Sequence, residues 1–244
     1  IATLDAFNNF EVRGANSNTV ISGIDINASG TVEATDVVNG RTMTLRKTKP
    51  TLTENSINSA IVNGSENEVY STTVAADAKE DVSIRQMRFA VTANDNVGTN
   101  NTLKAAGWKV YRNGADITSL VTMTDDDGAL VAGANDFEED DTFVNVVFND
   151  EVIAKGSSNI YTLRTTLTGY NTGADDDTLT VKLNSDSVLA DNTNTAAGVI
   201  AEGAGKYNFV WSDNSATGHS LTTQDWTNGY QIKNLPFSGK TMTN

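Results

Sequence analysis

The fold is indicated by two alternating stretches, YTLRTTLT at residues 161–168 and TLTVKL at residues 178–183. Every second position is apolar in both stretches except Thr165, and threonine fills most of the positions between them. Because successive side chains of a β-strand point to opposite faces, this pattern gives each strand one apolar face and one wet face. An acidic loop at residues 169–177 joins the two stretches. We predict that they form one hairpin of an antiparallel β-sandwich.

Composition agrees with a sandwich of half-buried strands. Apolar residues make up 38% of the 244 residues, which suffices because only every second residue of such a strand must be apolar. The length fits one large β domain or two sandwiches of ordinary size. Regular strand patterns and three tryptophans argue against global disorder.

The charge balance restricts the classes of partner. The chain carries 31 acidic and 17 basic residues and a net charge of −14, so phosphate backbones and anionic membranes would repel it. We therefore expect no nucleic-acid partner and favour Ca²⁺ as a ligand. The absence of cysteine excludes disulfides and thiol chemistry. No apolar stretch approaches the roughly 18–20 residues of a membrane span.

The first part of the chain differs from the rest. Ile1, Leu4, Phe7 and Phe10 recur at intervals of three, which indicates a short helix or an irregular apolar arm. Since Ile1 is not an initiator residue, we expect that a secretion leader has been removed. The basic run RKTKP at residues 46–50 predicts a crossover between two units, or a plain loop inside one sandwich.

These observations predict a small N-terminal unit at residues 1–48 and a main β-sandwich region at residues 49–244. Within the latter, the apolar positions of residues 81–92 change phase by one residue, which predicts a β-bulge near Arg85-Gln86. Asn113-Gly114 predicts a two-residue turn. An alternating aromatic row at residues 207, 209 and 211 is typical of a core strand.

Two acidic clusters are candidate calcium sites. Carboxylate-rich loops suit Ca²⁺, which takes about six to eight oxygen ligands, although neither cluster has the EF-hand pattern. A solvated turn that keeps strand edges soluble is the alternative. The predicted ligands are Asp125, Asp127, Asp136, Glu138, Asp140, Asp175 and Asp177.

The sequence gives only weak evidence for a catalytic site. The only histidine, His219, could form a serine-hydrolase trio with a serine and an aspartate drawn from Ser212, Asp213, Ser220 and Asp225. The chain has no nucleophile-elbow pattern, however. Paired carboxylates could serve a glycosidase, but the acidic runs are poor in the aromatic residues that hold sugars. We expect a structural histidine and no enzyme. Trp226 and Tyr230 are the candidate ligand-binding or interface residues.

The C-terminal sequence resembles that of a known group of proteins. Residues 208–216, His219-Ser220, residues 225–230 and Leu235-Pro236 resemble the ending of large secreted surface proteins from uncultivated candidate-phyla bacteria. Residues 46–52 are similar to the linker that precedes immunoglobulin-like modules in those proteins. The resemblance implies a bacterial cell-surface location and β-sandwich modules, and it implies no activity.

We therefore predict an all-β protein of one or two immunoglobulin-like sandwiches, secreted, and acting as a structural subunit of an extracellular filament, pilus-like fibre or surface layer. Identical subunits would form a homopolymer by pairing of strand edges or by a donor strand, which residues 1–12 or the tail after Pro236 could supply. The alternative is a carbohydrate-binding or adhesive module that uses Trp226 and Tyr230 on a surface glycan, with calcium.

Overall fold

The computed structural model describes residues 45–94, 103–131, 142–170, 177–189 and 207–244, with the backbone of short strands elsewhere. The chain forms two compact units, residues 1–46 and 47–244. In the first unit, β1 (Val12–Arg13) pairs antiparallel with β2 (Val20–Ile21). The predicted apolar arm at Ile1, Leu4, Phe7 and Phe10 lies outside the described residues.

The second unit consists of two antiparallel sheets. Sheet I contains β3 (Pro50–Glu54), β4 (Ser65–Ala76), β6 (Lys104–Arg112), β7 (Ala115–Asp116), β9 (Asp136–Phe137) and β11 (Ser158–Thr168). Sheet II contains β5 (Val82–Asn94), β8 (Val121–Thr124), β10 (Phe143–Ile153), β12 (Thr178–Leu183), β13 (Phe209–Ser212), β14 (Trp226–Asn228) and β15 (Lys240–Thr243). A short 3₁₀ turn, Thr118–Leu120, precedes β8.

The strand order explains how each sheet is built. Sheet I runs β3-β4-β11-β6-β7, and β9 also pairs with β6. In sheet II, β5 is central and has β10 and then β8 on one side. On its other side, β13 and β12 pair with successive parts of β5, and they are flanked by β14 and β15 respectively.

The sheets pack face to face around one apolar core. The rings of Tyr70 in sheet I and Phe89 in sheet II lie 5.2 Å apart, and those of Phe148 and Tyr161 lie 5.6 Å apart across the same space. The described residues contain no α-helix. The predicted antiparallel β-sandwich is confirmed, while an immunoglobulin-like connectivity stays a prediction.

The predicted hairpin is wrong, although its two strands exist. Leu163 and Leu167 of β11 and Leu179 and Val181 of β12 are all buried, as the alternation requires. However, β11 pairs with β4 and β6 in sheet I, whereas β12 pairs with β5 and β15 in sheet II. Alternation determines which side chains face the core, not which strand lies alongside. The connection is also long enough to span about 30 Å, whereas packed sheets lie only about 10 Å apart.

Two local predictions are confirmed. Opposite β13, Gln86 pairs with Val210 and Ile84 pairs with Trp211, which leaves Arg85 as the extra residue of a bulge. Asn113 and Gly114 have φ values of 50° and 82° between β6 and β7. Positive φ at both positions is the requirement of the tight hairpin turn that the Asn-Gly pair predicts.

Candidate assembly site

One side of the sandwich is closed by a single stretch, residues 229–243, which we call the closing segment. Its last part, β15, pairs with β12 from Thr178 to Val181. On the opposite side of β15, the Thr243 amide donates to the Ser59 carbonyl at 2.8 Å, and the Ile61 amide donates to the Thr243 carbonyl at 2.7 Å. The strand therefore has backbone partners on both sides.

The same segment covers the outer edge of β3. The Asn55 amide donates to the Ser71 carbonyl of β4, so the alternating register turns the amide and carbonyl groups of Leu52 and Glu54 away from β4. The Asn234 side chain donates to the Leu52 carbonyl at 2.7 Å. The Gly239 amide donates to the Glu54 carboxylate at 3.2 Å. Side-chain contacts rather than a paired strand thus protect this edge.

The closing segment also contributes to the core. Ile232, Phe237 and Met242 are 3%, 8% and 2% exposed, and they pack in the cluster that both sheets form. Burying a side chain of this size is worth about 1.5–3 kcal/mol. The segment therefore joins the two sheets by apolar packing as well as by hydrogen bonds.

Asp186 anchors the beginning of the segment. Its carboxylate accepts the Gly229 amide at 2.7 Å and the Asn208 amide at 2.8 Å. Burial raises the pKa of Asp186, although these amides act in the opposite direction. A Cβ at residue 229 would lie 2.9 Å from Cβ of Phe209, so the close approach requires glycine. This anchor fixes where the chain leaves β14.

The chain turns sharply after the anchor. Gln231 and Asn234 have φ values of 55° and 77°, in the left-handed region that side chains disfavour. Gly239, with φ of 91°, provides the last turn before β15. The alternating pattern of the sequence did not indicate this path, because the segment is mostly irregular.

The serine, histidine and aspartate considered as a catalytic trio form a hydrogen-bonded network instead. The Ser212 hydroxyl donates to Asp225 Oδ2 at 2.9 Å, and His219 Nδ1 lies 2.8 Å from the same oxygen. In a hydrolase triad the serine would contact the histidine. Here both contact the aspartate, and Ser212 is completely buried. The arrangement fits the structural role predicted for His219.

The environment of Asp225 stabilises its ionised form. Burial acts to raise the pKa of this carboxyl, but hydrogen bonds from Thr223, Ser212, the Ala216 amide and His219 outweigh it and lower the pKa to about 2. The Thr223 hydroxyl contact is 2.6 Å long. Asp225 therefore serves as the centre that holds residues 212–225 in place.

His219 connects this network to the neighbouring strand. Its Nε2 lies 3.4 Å from Asp150 Oδ1 of β10. Asp150 has a φ of 57° and lies at the irregular register between β10 and β5. The imidazole also packs on Trp226, with ring centroids 5.0 Å apart. The loop before β14 is thus fastened to sheet II.

The surface role predicted for Trp226 does not fit its burial. Trp226 is 1% exposed, packs with Val210 in a small second cluster, and donates its indole N–H to the Ser220 carbonyl at 2.9 Å. Pairing of β14 with β13 places this ring inside, where it cannot stack on a sugar or partner. Tyr230 is half-buried at the start of the closing segment, and its interface role stays a prediction.

The structure describes three of the seven predicted calcium ligands. Asp125 is buried and accepts the Ala129 amide at 2.8 Å, whereas Asp127 is exposed and Asp177 is buried beside β12. The side chains of four ligands lie outside the described residues: Asp136, Glu138, Asp140 and Asp175. Among the described residues, no group of three histidine or acidic side chains is placed to hold a metal ion. Calcium binding stays a prediction.

Comparison with known proteins gives little. No protein-family model matches the sequence, and no curated protein matches it either. A solved structure described as "AvmM Catalyzes Macrocyclization in Alchivemycin A Biosynthesis" aligns with 57% of this chain and 73% of its own length, at 8% identity and a TM-score of 0.24. A likeness this weak carries no argument about function. Across the described ranges, no helix is long and apolar enough to cross a membrane.

Proposed function

We propose that the protein is a structural subunit of an extracellular polymer, a filament or surface layer, in which identical copies join through sheet edges. The observation that carries this proposal is the closing segment. One stretch of chain covers the outer edges of β3 in sheet I and β12 in sheet II. A sheet edge presents unpaired amide and carbonyl groups that accept a strand from another chain.

Charge is relevant to how copies associate, and sequence resemblance supports the extracellular location. A net charge of −14 keeps copies apart in the absence of a counterion, and Ca²⁺ bound by the acidic loops would reduce that repulsion. The resemblance of residues 208–216 and 225–230 to secreted bacterial surface proteins supports a location on the cell surface. The rival proposal is a glycan-binding module. Because Trp226 is buried, such a module would have to bind sugars through Tyr230 without it.

The test is assembly of the purified chain. We expect ordered fibres or sheets by negative-stain microscopy, and large species in sedimentation velocity, as the protein concentration rises in Ca²⁺. Parallel samples in EDTA measure the contribution of calcium. Monodisperse monomers at every concentration, with and without Ca²⁺, would overturn the proposal.

A glycan array separates the rival proposal. The structural proposal predicts no glycan binding that depends on Tyr230. Binding that is lost in Tyr230→Ala, retained in Tyr207→Ala, and seen in a chain that does not assemble would favour the glycan-binding module. Tyr207 is the matched control because it is also half-buried and lies outside the closing segment.

A further inference from the structure

We infer that the copies are joined by exchange of the last part of the closing segment, residues 235–243. In the exchanged arrangement these residues leave their own sandwich and fill the corresponding space of a neighbouring copy, between β3 and β12. This inference rests on the proposed function, because it requires that identical copies associate, and it specifies which contact joins them.

The space between β3 and β12 demands a particular occupant. It offers backbone groups of β12 on one side and of residues 59–61 on the other, so it accepts an extended strand. It also encloses Phe237 and Met242, which are 8% and 2% exposed. A second copy presents an identical strand with identical apolar side chains. Exchange of an identical element preserves every contact within the space and is therefore a low-cost route to association.

The turns in the closing segment favour departure of its last part. Gln231 and Asn234 both have left-handed φ values, and glutamine is a residue that rarely adopts this conformation. These two turns direct the chain back across its own sandwich. An extended connection to a neighbouring copy relieves them, while the anchor of Gly229 on Asp186 can stay in place.

The chain offers a direct test because it contains no cysteine. Thr180 of β12 and Thr241 of β15 face each other, with their hydroxyl oxygens 2.8 Å apart. We would mix a tagged Thr180→Cys chain with an untagged Thr241→Cys chain under mild oxidation. Exchange predicts a covalent dimer between the two different chains, identified by mass spectrometry as a disulfide that joins residues 180 and 241.

A matched pair controls for random collision. Thr73 of β4 and Ile160 of β11 also face each other, but both strands are paired on each side within sheet I. A mixture of Thr73→Cys and Ile160→Cys chains should give no disulfide between different chains. A yield equal to that of the Thr180→Cys and Thr241→Cys mixture would overturn the inference.

A locked variant separates exchange from assembly. In the double variant Thr180→Cys, Thr241→Cys, an internal disulfide holds β15 on its own β12. We expect this variant to lose assembly when oxidised and to regain it when reduced. Normal assembly of the oxidised variant, without disulfides between chains in the mixture, would overturn exchange and leave the proposed function standing. Failure of both the wild-type chain to assemble and the mixture to cross-link would overturn both.

A truncation tests the other donor predicted from the sequence. If exchange of residues 235–243 joins the copies, removal of residues 1–12 should leave cross-linking between residues 180 and 241 intact. Loss of assembly on that truncation, with no such cross-link in the full chain, would assign the donor role to the N-terminal arm and overturn the inference.

Discussion

The two sides of the sandwich are closed in different ways. On one side, residues 117–131 connect the sheets: the Val131 amide donates to the Met123 carbonyl of β8, and the Trp108 amide of β6 donates to the Val131 carbonyl, both at 3.2 Å. On the other side, the closing segment makes contacts between residues far apart in sequence. Asn234 and Leu52 are separated by 182 positions, and Gly239 and Glu54 by 185.

This difference has a physical consequence. The local side joins strands that follow one another in the chain, so it forms with little loop-closure entropy. The large sequence separation of the remote contacts predicts that they form after the rest of the sandwich. A segment that is added last, from a distant position, is also the segment whose place a second copy can take.

The sharpest test of the comparison uses two methionines. Met242 of the closing segment and Met123 of the local side are 2% and 1% exposed. Truncation of either to alanine removes buried methylene groups and leaves a cavity, so each should lower the free energy of unfolding by about 2–5 kcal/mol. Urea unfolding followed by tryptophan fluorescence measures this loss.

The two methionine variants should differ in exchange. Met242→Ala weakens the packing of β15 on β12 within one copy and between copies alike, so β15 leaves its own sandwich more readily. The disulfide between chains that carry Thr180→Cys and Thr241→Cys should therefore form faster. Met123→Ala, at equal loss of stability, should not accelerate it. Equal effects on cross-linking would show that the two sides do not differ in the way described.

Acid should weaken the hydrogen-bonded network around Asp225, which precedes β14. The folded-state pKa of Asp225, about 2, lies below its unfolded value of about 3.9. The ionised carboxylate therefore adds up to about 2.5 kcal/mol of stability above pH 4, and this contribution disappears as the pH falls from 4 to 2. We expect Asp225→Asn to reduce the slope of unfolding free energy against pH in that range, as measured by urea unfolding.

The local side provides the comparison for this slope. Asp126 accepts the Phe143 amide at 2.9 Å, and hydrogen bonds from Thr142 and Phe143 lower the pKa of Asp126 although burial opposes them. Asp126→Asn should therefore also reduce the slope. The double variant should reduce the slope by the sum of the two single reductions, because the two sites share no partner. A slope unchanged in Asp225→Asn would refute the role assigned to its hydrogen bonds.

Sequence predicted the features that depend on local period. The alternation at residues 161–168 and 178–183 correctly identified the buried faces of β11 and β12, and the phase change at Arg85 identified the bulge. Asn113-Gly114 identified a turn because few other pairs tolerate positive φ twice. Each of these signals is complete within a few residues.

Which strands pair, and how the candidate site is arranged, depend on contacts between residues far apart in the sequence. Local alternation of apolar and polar residues carries no information about such contacts. Neither β11 nor β12 carries a signal for its sheet, so the hairpin between them was wrong. The burial of Trp226 depends on β13, and the cover over Leu52 depends on an amide 182 residues away. Met242 is flanked by threonines in a short strand, so its alternation is too brief to distinguish from chance. The closing segment was therefore predicted only as a tail after Pro236 that a neighbour could receive.

The smallest effect is expected when one lysine is removed from each of two ion pairs. Lys240 and Glu54, 24% and 9% exposed at their side chains, connect the closing segment to β3 with atoms 3.4 Å apart. Lys109 and Glu66, 42% and 30% exposed, pair on the outer face of sheet I. Lys240→Met should cost about 1–2 kcal/mol, because it leaves a shielded carboxylate with fewer donors. Lys109→Met should cost less than about 1 kcal/mol, because water and salt already screen that pair.

Salt distinguishes the two pairs further. Urea unfolding at low salt and at about 1 M NaCl measures how salt changes each cost. High salt should abolish the cost of Lys109→Met, since the screening length falls to about 3 Å. The cost of Lys240→Met should largely persist, since Glu54 is shielded by the segment that lies on it. Equal salt sensitivity of the two costs would mean that the closing segment admits solvent at β3, and that this side of the sandwich is open rather than closed by its own chain.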